Sequence, residues 1–268
     1  MPESAVWLLG YLAIGASGGV FAGLLGIGGG AVIVPFLVWL FEAQQLPREH
    51  LLHLAVGTAM ATILFTSVSS MRSHAARGAV RWDIWRRITP GILFGGLLGS
   101  LVASWIPRFA FAALFAAVVY AAAVNMLLDR KPVATRSLPG AAGLFTAGTV
   151  ISAASAFAAV GGAFLSVPFM VWCNVPVIQA IGTAAAIGFP IAVAGTIGFV
   201  TTGWNQVGLP PWSVGYVYLP ALAGVTLASM SIAPLGVMAA HRLPTRALRR
   251  IVALLLFGMA TWMLRTLW

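Results

Sequence analysis

Two glycine clusters, each followed by a short apolar stretch, are the parts of this sequence best suited to bind a ligand. Residues 26–30 read Gly-Ile-Gly-Gly-Gly, and Val160-Gly161-Gly162 forms the second cluster. Glycine adopts positive φ and lets backbone N–H groups approach a ligand closely. A helix that starts just after such a bend directs its free N–H groups and its positive dipole end toward it. Two such helix ends meeting near the membrane midplane would form a site for an anion.

The candidate binding groups are backbone atoms of the two clusters and two threonines that occupy matching places farther along. The substrate-binding candidates are Gly28, Gly29, Gly30, Thr58, Gly161, Gly162, Ala163 and Thr183. The threonine hydroxyls could donate to an oxyanion, but a threonine in a membrane helix commonly bonds back to its own helix, so both roles stay open. Weaker candidates of the same kind are Ser17, Ser155, Ser166 and Gln179.

The elements that carry these groups occur twice. Residues 28–36 read GGGAVIVPF and residues 161–169 read GGAFLSVPF, while the AVGTA of 55–59 matches the AIGTA of 180–184. One proline of each half also aligns farther downstream: Pro90 and Pro220. The sequence therefore predicts two repeats, at 1–129 and 140–268, joined by a polar linker at 130–139.

Composition places both repeats in a membrane. Hydrophobic residues make up 60% of the 268 positions and charged residues only 7%, against about 25% charged in a soluble domain. Apolar runs long enough to cross the roughly 30 Å hydrocarbon layer lie at 5–25, 52–73, 88–105, 108–128, 140–159, 178–200, 211–240 and 247–267. The stretches 31–41 and 163–173 are too short to cross as straight helices. An all-α polytopic membrane protein is the predicted fold class.

Charge distribution predicts the orientation of the two repeats. Twelve of the 15 basic residues lie in loops at 72–87 and 241–250 and in the linker, which places these three segments in the cytoplasm. The matching loop at 201–211 carries no charge and is expected outside. Each repeat then makes five passes if its glycine-broken helical hairpin counts as two, and an odd number inverts the second copy. Inverted repeats with broken helices are a recurring plan of transporters.

Several other residues carry weaker signals. His53 begins an apolar run and could relay protons, but we expect a wet histidine at a helix end. Glycines at GxxxG spacing are expected to serve helix packing: Gly15, Gly19 and Gly23, and Gly91, Gly95 and Gly99. The lone Cys173 excludes an intramolecular disulfide and a CxxC metal site, so we expect no metal and no cofactor.

Three classes of function are disfavoured or excluded. The net charge of +10 does not indicate nucleic-acid binding, because the basic residues lie in short loops between apolar runs. No acidic residue lies deep in an apolar run, which argues against a carboxylate-based cation site and agrees with an anionic cargo. An enzyme is a weak alternative, since it would need a convergent nucleophile and base or a set of metal ligands, whereas the four histidines lie at segment ends and form no HExxH motif. The sequence leaves a homodimer open.

The duplicated motif resembles the TauE/SafE family of sulfite and organosulfonate exporters, also called the toluene sulfonate uptake permease family. The resemblance lies in the run from Gly23 to Pro35-Phe36 followed by Gly57-Thr58, and in the second copy from Gly161 to Gly182-Thr183. It covers nearly the whole chain. The second copy departs where Ala163 replaces the third glycine.

The resemblance implies a secondary transporter of small sulfur-containing anions such as sulfite or sulfonates, in the inner membrane of a bacterium. It would work by alternating access, with export as the expected direction. The residues alone indicate only an anion. An anion channel and a transporter of a non-sulfur organic anion are the alternatives.

Overall fold

A computed structural model describes residues 3–25, 29–128, 136–159, 161–242 and 245–267, and in these ranges the chain is almost entirely helical. The helices are α1 Glu3–Leu25, α2 Gly30–Ala43, α3 Leu51–Ala76, α4 Trp82–Trp105, α5 Arg108–Leu128, α6 Ala141–Ala158, α7 Ala163–Trp172, α8 Val177–Gly203, α9 Leu219–Arg242 and α10 Thr245–Leu267. A small antiparallel hairpin, β1 Ser213–Val214 and β2 Val217–Tyr218, precedes α9 and pairs Ser213 with Tyr218.

Five of the described helices, α3, α4, α5, α6 and α8, are long and apolar enough to cross a membrane. Large apolar side chains are exposed on their outer faces, for example Phe94 at 55% and Val150 at 62%. Such a surface is stable in lipid and would associate in water. The prediction of an all-α polytopic membrane protein is confirmed.

The helices pair across the two sequence halves. α1 of the first half packs along α9 of the second, α6 of the second packs along α4 of the first, and α3 packs against α8. Corresponding glycines make corresponding contacts: a Cβ on Gly15 would collide with the backbone of Val225, and one on Gly148 would lie 2.5 Å from the carbonyl oxygen of Ile88. The halves therefore interleave, and neither forms a bundle of its own. Their opposite orientation in the membrane stays a prediction.

The GxxxG glycines serve helix packing, as predicted. A Cβ on Gly91 or Gly95 would collide with a carbonyl oxygen of α6, and one on Gly99 would lie 2.9 Å from Ala153 Cα. Gly19 packs in the same way on Ser229. The contact of Gly23 lies outside the described side chains. Close backbone approach of α4 to α6, and of α1 to α9, thus depends on the absence of side chains at these positions.

Three predicted helix boundaries were wrong: the end of α3 and the starts of α4 and α9. The basic segment 72–87 is mostly helical, because α3 continues to Ala76 and α4 begins at Trp82, which leaves a connection of residues 77–81. The apolar run at 211–240 begins with the β-hairpin, and its helix starts only at Leu219. Charge and hydropathy indicate which residues lie in water and which in lipid, but they do not fix where a helix ends. A helix can extend beyond the apolar layer, and an apolar segment can begin with a hairpin.

The alignment of Pro90 with Pro220 was also wrong. Pro90 is the ninth residue of α4, whereas Pro220 is the second residue of α9. A proline fits the first turn of a helix without loss of a hydrogen bond, but within a helix it removes one. The two prolines therefore occupy different structural positions.

Candidate functional site

The first bend precedes α2 at Gly29. Gly29 has φ 70°, in the left-handed region that favours glycine, and its carbonyl oxygen accepts hydrogen bonds from the N–H groups of Val32 and Ile33, both at 3.0 Å. The first N–H groups of α2 have no partner within the helix, and Gly29 and Gly30 are buried. Gly28, the remaining candidate of this cluster, lies outside the described residues.

The second bend joins α6 to α7. Ala159 has φ 48°, and the carbonyl oxygen of Gly162 accepts hydrogen bonds from the N–H groups of Ser166 at 2.8 Å and Leu165 at 3.3 Å. The N–H of Ala163 donates to Gly161. The start of α7 therefore has the same carbonyl contacts as that of α2, but Ala163 occupies the position of Gly30, and Gly162 does not share the left-handed backbone of Gly29.

The two bends lie against each other. A Cβ on Gly30 would collide with the carbonyl oxygen of Ala159 and would lie 2.8 Å from the end of the Ile63 side chain of α3. Gly162 faces α8, where an added Cβ would meet Ile191 and would lie 3.3 Å from Ile187. The start of α2 thus meets the end of α6 beside α3, and the start of α7 lies against α8.

Thr58 does not lie in the bends but fastens the β-hairpin to α3. Its buried Oγ1 accepts a hydrogen bond from the backbone N–H of Tyr218 at 3.0 Å. One residue earlier, Gly57 lies so close to the carbonyl oxygen of Tyr216 that a Cβ would collide with it. We call these contacts the first clasp.

Thr183 makes the equivalent contact at the other repeat. Its buried Oγ1 accepts a hydrogen bond from the backbone N–H of Arg81 at 2.9 Å, and a Cβ on Gly182 would collide with the carbonyl oxygen of Ala79. We call these contacts the second clasp. Each clasp joins the AxGTA stretch of one repeat to the segment that enters α4 or α9 of the other.

The structure therefore places Gly30 against the α6 end of the bend that contains Gly161, Gly162 and Ala163, and the two threonines lie outside both bends. Thr58 lies five residues before Ile63, and Thr183 four residues before Ile187, which contact the bends. An oxygen that accepts a backbone N–H keeps its own proton for donation. The substrate role of the two hydroxyls stays a prediction.

Sequence reasoning missed the partners of the threonines. Tyr218 and Arg81 contribute only their backbone N–H groups, and no residue type signals such a donor. Among the weaker candidates, Ser17 and Ser155 bond to their own helices at 2.8 Å and 2.7 Å. Ser166 is fully buried, and its Oγ has no hydrogen-bond partner among the described residues.

The prediction that His53 is exposed to solvent was wrong. Its side chain is only 5% exposed, and its Nε2 lies 3.0 Å from the carbonyl oxygen of Ala103. The sequence placed it at a helix end, which is correct, but the β-hairpin and the start of α5 cover that end. A long-range contact of this kind leaves no local signal.

Charged side chains stay at the ends of the described helices. Asp83 pairs with Arg81 at 2.6 Å and Glu42 with Arg48 at 3.6 Å, and the bond to Asp83 raises the pKa of the Arg81 guanidinium. Among the described residues, no Asp, Glu, Lys or Arg is buried, and no group of three metal-ligating side chains occurs. The polar groups at the bends are therefore those of the backbone and a few hydroxyls.

Fold and site together define a multi-pass helical membrane protein in which two broken hairpins meet between central helices. The family model described as sulfite exporter TauE/SafE matches residues 11–263. The chain belongs to this family and is a membrane transporter, as the resemblance of its duplicated motif implied.

Relatives named "Probable membrane transporter protein" match over nearly their whole length. The relative from Haemophilus influenzae is 36% identical over 251 residues, covering 93% of this chain and 95% of its own. One from Xylella fastidiosa is 26% identical over 266 residues, covering 95% of both chains. A similarly named protein of Methanocaldococcus jannaschii is 24% identical over 253 residues, covering 92% of this chain and 91% of its own. No solved structure matches this chain.

Proposed function

We propose that the protein exports small sulfur-containing anions, such as sulfite or organosulfonates, by alternating access around the two bends. In this proposal the backbone N–H groups at the starts of α2 and α7 hold the oxyanion. The two repeats have opposite orientations, so that equivalent movements open the site to either side.

One observation carries the proposal: the bends of the two repeats are in contact, through Gly30 and the carbonyl of Ala159. Broken helices in a membrane are tolerated where protein or a water-filled cavity surrounds them. We place the ligand where the starts of α2 and α7 can both reach it, so that several N–H donors and two positive dipole ends act on it. Their apolar neighbours Ile63, Ile187 and Ile191 would strengthen such bonds by excluding water.

The charge distribution supports an anion as cargo. A cation site inside a helical bundle usually includes a carboxylate, and no carboxylate is buried in the described part of the chain. Membership of the family supports sulfite or a sulfonate as the anion. Outward movement is favoured by an inside-negative potential, by about 2.3 kcal/mol per charge per 100 mV, so export of an anion needs no further energy source.

Binding to the purified protein tests the cargo. Sulfite, several sulfonates, sulfate and carboxylates are titrated, and sulfite or a sulfonate is expected to bind and to raise the melting temperature. If none of the sulfur anions does so while a carboxylate does, the cargo is a non-sulfur organic anion. Counter-transport in proteoliposomes separates the transporter from an anion channel, whose flux would not saturate.

A pair of glycine variants tests the site. Gly30→Ala places a methyl group against the Ala159 carbonyl and is expected to abolish binding. Gly258→Ala in α10 is the control, because its methyl group would have no atom within 4 Å, and this variant is expected to bind normally. If both folded variants bind the anion as well as the unaltered protein does, the anion does not bind at the bends.

A further inference from the structure

The two ring nitrogens of His53 differ in their hydrogen bonding within the described part of the chain. Nε2 lies 3.0 Å from the carbonyl oxygen of Ala103, which can only accept, so Nε2 carries the proton of the neutral ring. Nδ1 is buried and has no hydrogen-bond partner among the described residues. The ring lies between two aromatic rings, stacked on Tyr216 at 4.9 Å and tilted against Phe111 at 4.7 Å between centroids.

We propose that Nδ1 of His53 is a proton-binding site and that its protonation opens the first clasp. In the closed clasp, a proton on Nδ1 would add a buried N–H without an acceptor and a positive charge without a counter-ion. Both are costly in an apolar environment. The closed form therefore binds this proton more weakly than an open form in which the ring reaches water, so acid favours opening.

Tyr216 connects His53 to the rest of the first clasp. The ring of His50 also lies on Tyr216, at 5.8 Å between centroids, and its Nε2 lies 3.2 Å from the carbonyl oxygen of Val207. The backbone of Tyr216 rests on Gly57. A displaced His53 ring would thus disturb the packing that holds the hairpin and its preceding loop on α3.

The charged and titratable groups around His53 would not stabilise its cation. His50 and Tyr216 face it from the start of α3 and from the hairpin, and burial raises the pKa of Tyr216, which keeps this group neutral. Arg108 begins α5, which packs on the ring from the other side, and residues 95–105 of α4 contain no titratable side chain. The acidic residue nearest in sequence, Glu49, is exposed.

The second clasp provides an internal comparison: His74 contributes its backbone carbonyl to the N–H of Ala79 and its side chain is only half-buried, and no histidine lies at the positions that match His50 and His53. When the two repeats are aligned so that Thr58 matches Thr183, His50 matches Val175 and His53 matches Ile178. The two clasps share their threonine and glycine contacts, so a proton response is expected at the first clasp alone. This inference goes beyond the proposed function and does not depend on the nature of the cargo.

Single-cysteine labelling of the purified full chain tests the proposal. In a Cys173→Ala background, Val217→Cys places a thiol in the first clasp and Val80→Cys places one in the second; the two valines are 3% and 8% exposed. Labelling rates are divided by the rate of exposed Gln206→Cys, which cancels the pH dependence of the thiol itself. No substrate is added, so a failure of the anion proposal would not affect the result.

Between pH 6.5 and 5.5 the relative rate at Val217→Cys should rise by up to about tenfold, the limit for one proton. The relative rate at Val80→Cys should stay constant, and His53→Gln should remove the rise, since its amide can donate to Ala103 but does not titrate. A constant rate at Val217→Cys, or an equal rise at both positions, would overturn the proposal. Those two outcomes need no His53 variant, so the proposal can be overturned even if His53→Gln does not fold.

Discussion

Replacing either clasp threonine by valine should expose one identified backbone amide to exchange. Thr58→Val keeps the shape of the side chain but removes the oxygen that accepts the Tyr218 N–H, and Thr183→Val does the same for Arg81. Both threonines are 0% exposed, so the amide is left without a partner. A buried donor left unsatisfied costs about 1–3 kcal/mol, which corresponds to about 5- to 150-fold less protection of that amide when local opening limits exchange.

Hydrogen exchange resolved to single amides measures this change. Thr58→Val should lose protection at Tyr218 and not at Arg81, and Thr183→Val should do the reverse. Thr146→Val is the matched control, because Thr146 is exposed and bonds only to Ala142 of its own helix. Unchanged protection at both amides would refute a stabilising role of the clasps. A variant that loses anion affinity while its amide stays protected would instead identify the hydroxyl as a substrate donor.

Two further predictions concern packing and orientation. Gly95→Ala should destabilise the protein by about 1–3 kcal/mol in denaturant titrations, because the new methyl group collides with the carbonyl of Thr149, whereas Gly258→Ala should be nearly neutral; equal melting of the two variants would contradict the packing argument. A thiol at Gln206→Cys should react with an impermeant reagent from outside the cell and one at Ala76→Cys only after permeabilisation, and the same sidedness at both would exclude the inverted arrangement.

Periodic and duplicated features were predictable because they are local. Both glycine breaks, the short helices that follow them and the packing of Gly91, Gly95 and Gly99 were correct. In each case the local sequence is enough to predict the feature: a glycine indicates a position where a side chain cannot fit, and the length of an apolar run indicates the length of the helix. The family resemblance depended on the same local motifs.

The contacts that cover a helix end were not predictable. His53 is buried by Tyr216 and Phe111, which lie 163 and 58 positions farther along the chain. The clasps were missed for a related reason, since their donors are backbone N–H groups of Tyr218 and Arg81. Any residue except proline carries such a donor, so only the fold shows which one is used.

The two repeats agree in their clasps and differ at the bends and around the histidine. Thr58 and Thr183 make the same backbone contact, each with the helix entry of the opposite repeat. At the bends, by contrast, Gly30 corresponds to Ala163, and Ile33 corresponds to Ser166, whose Oγ has no hydrogen-bond partner in the described part of the chain. In the proposed transport cycle, equal contacts at both clasps would allow equivalent movements of either repeat. The differences at the bends and at His53 are therefore where an uneven property, such as cargo orientation or a response to protons, can arise.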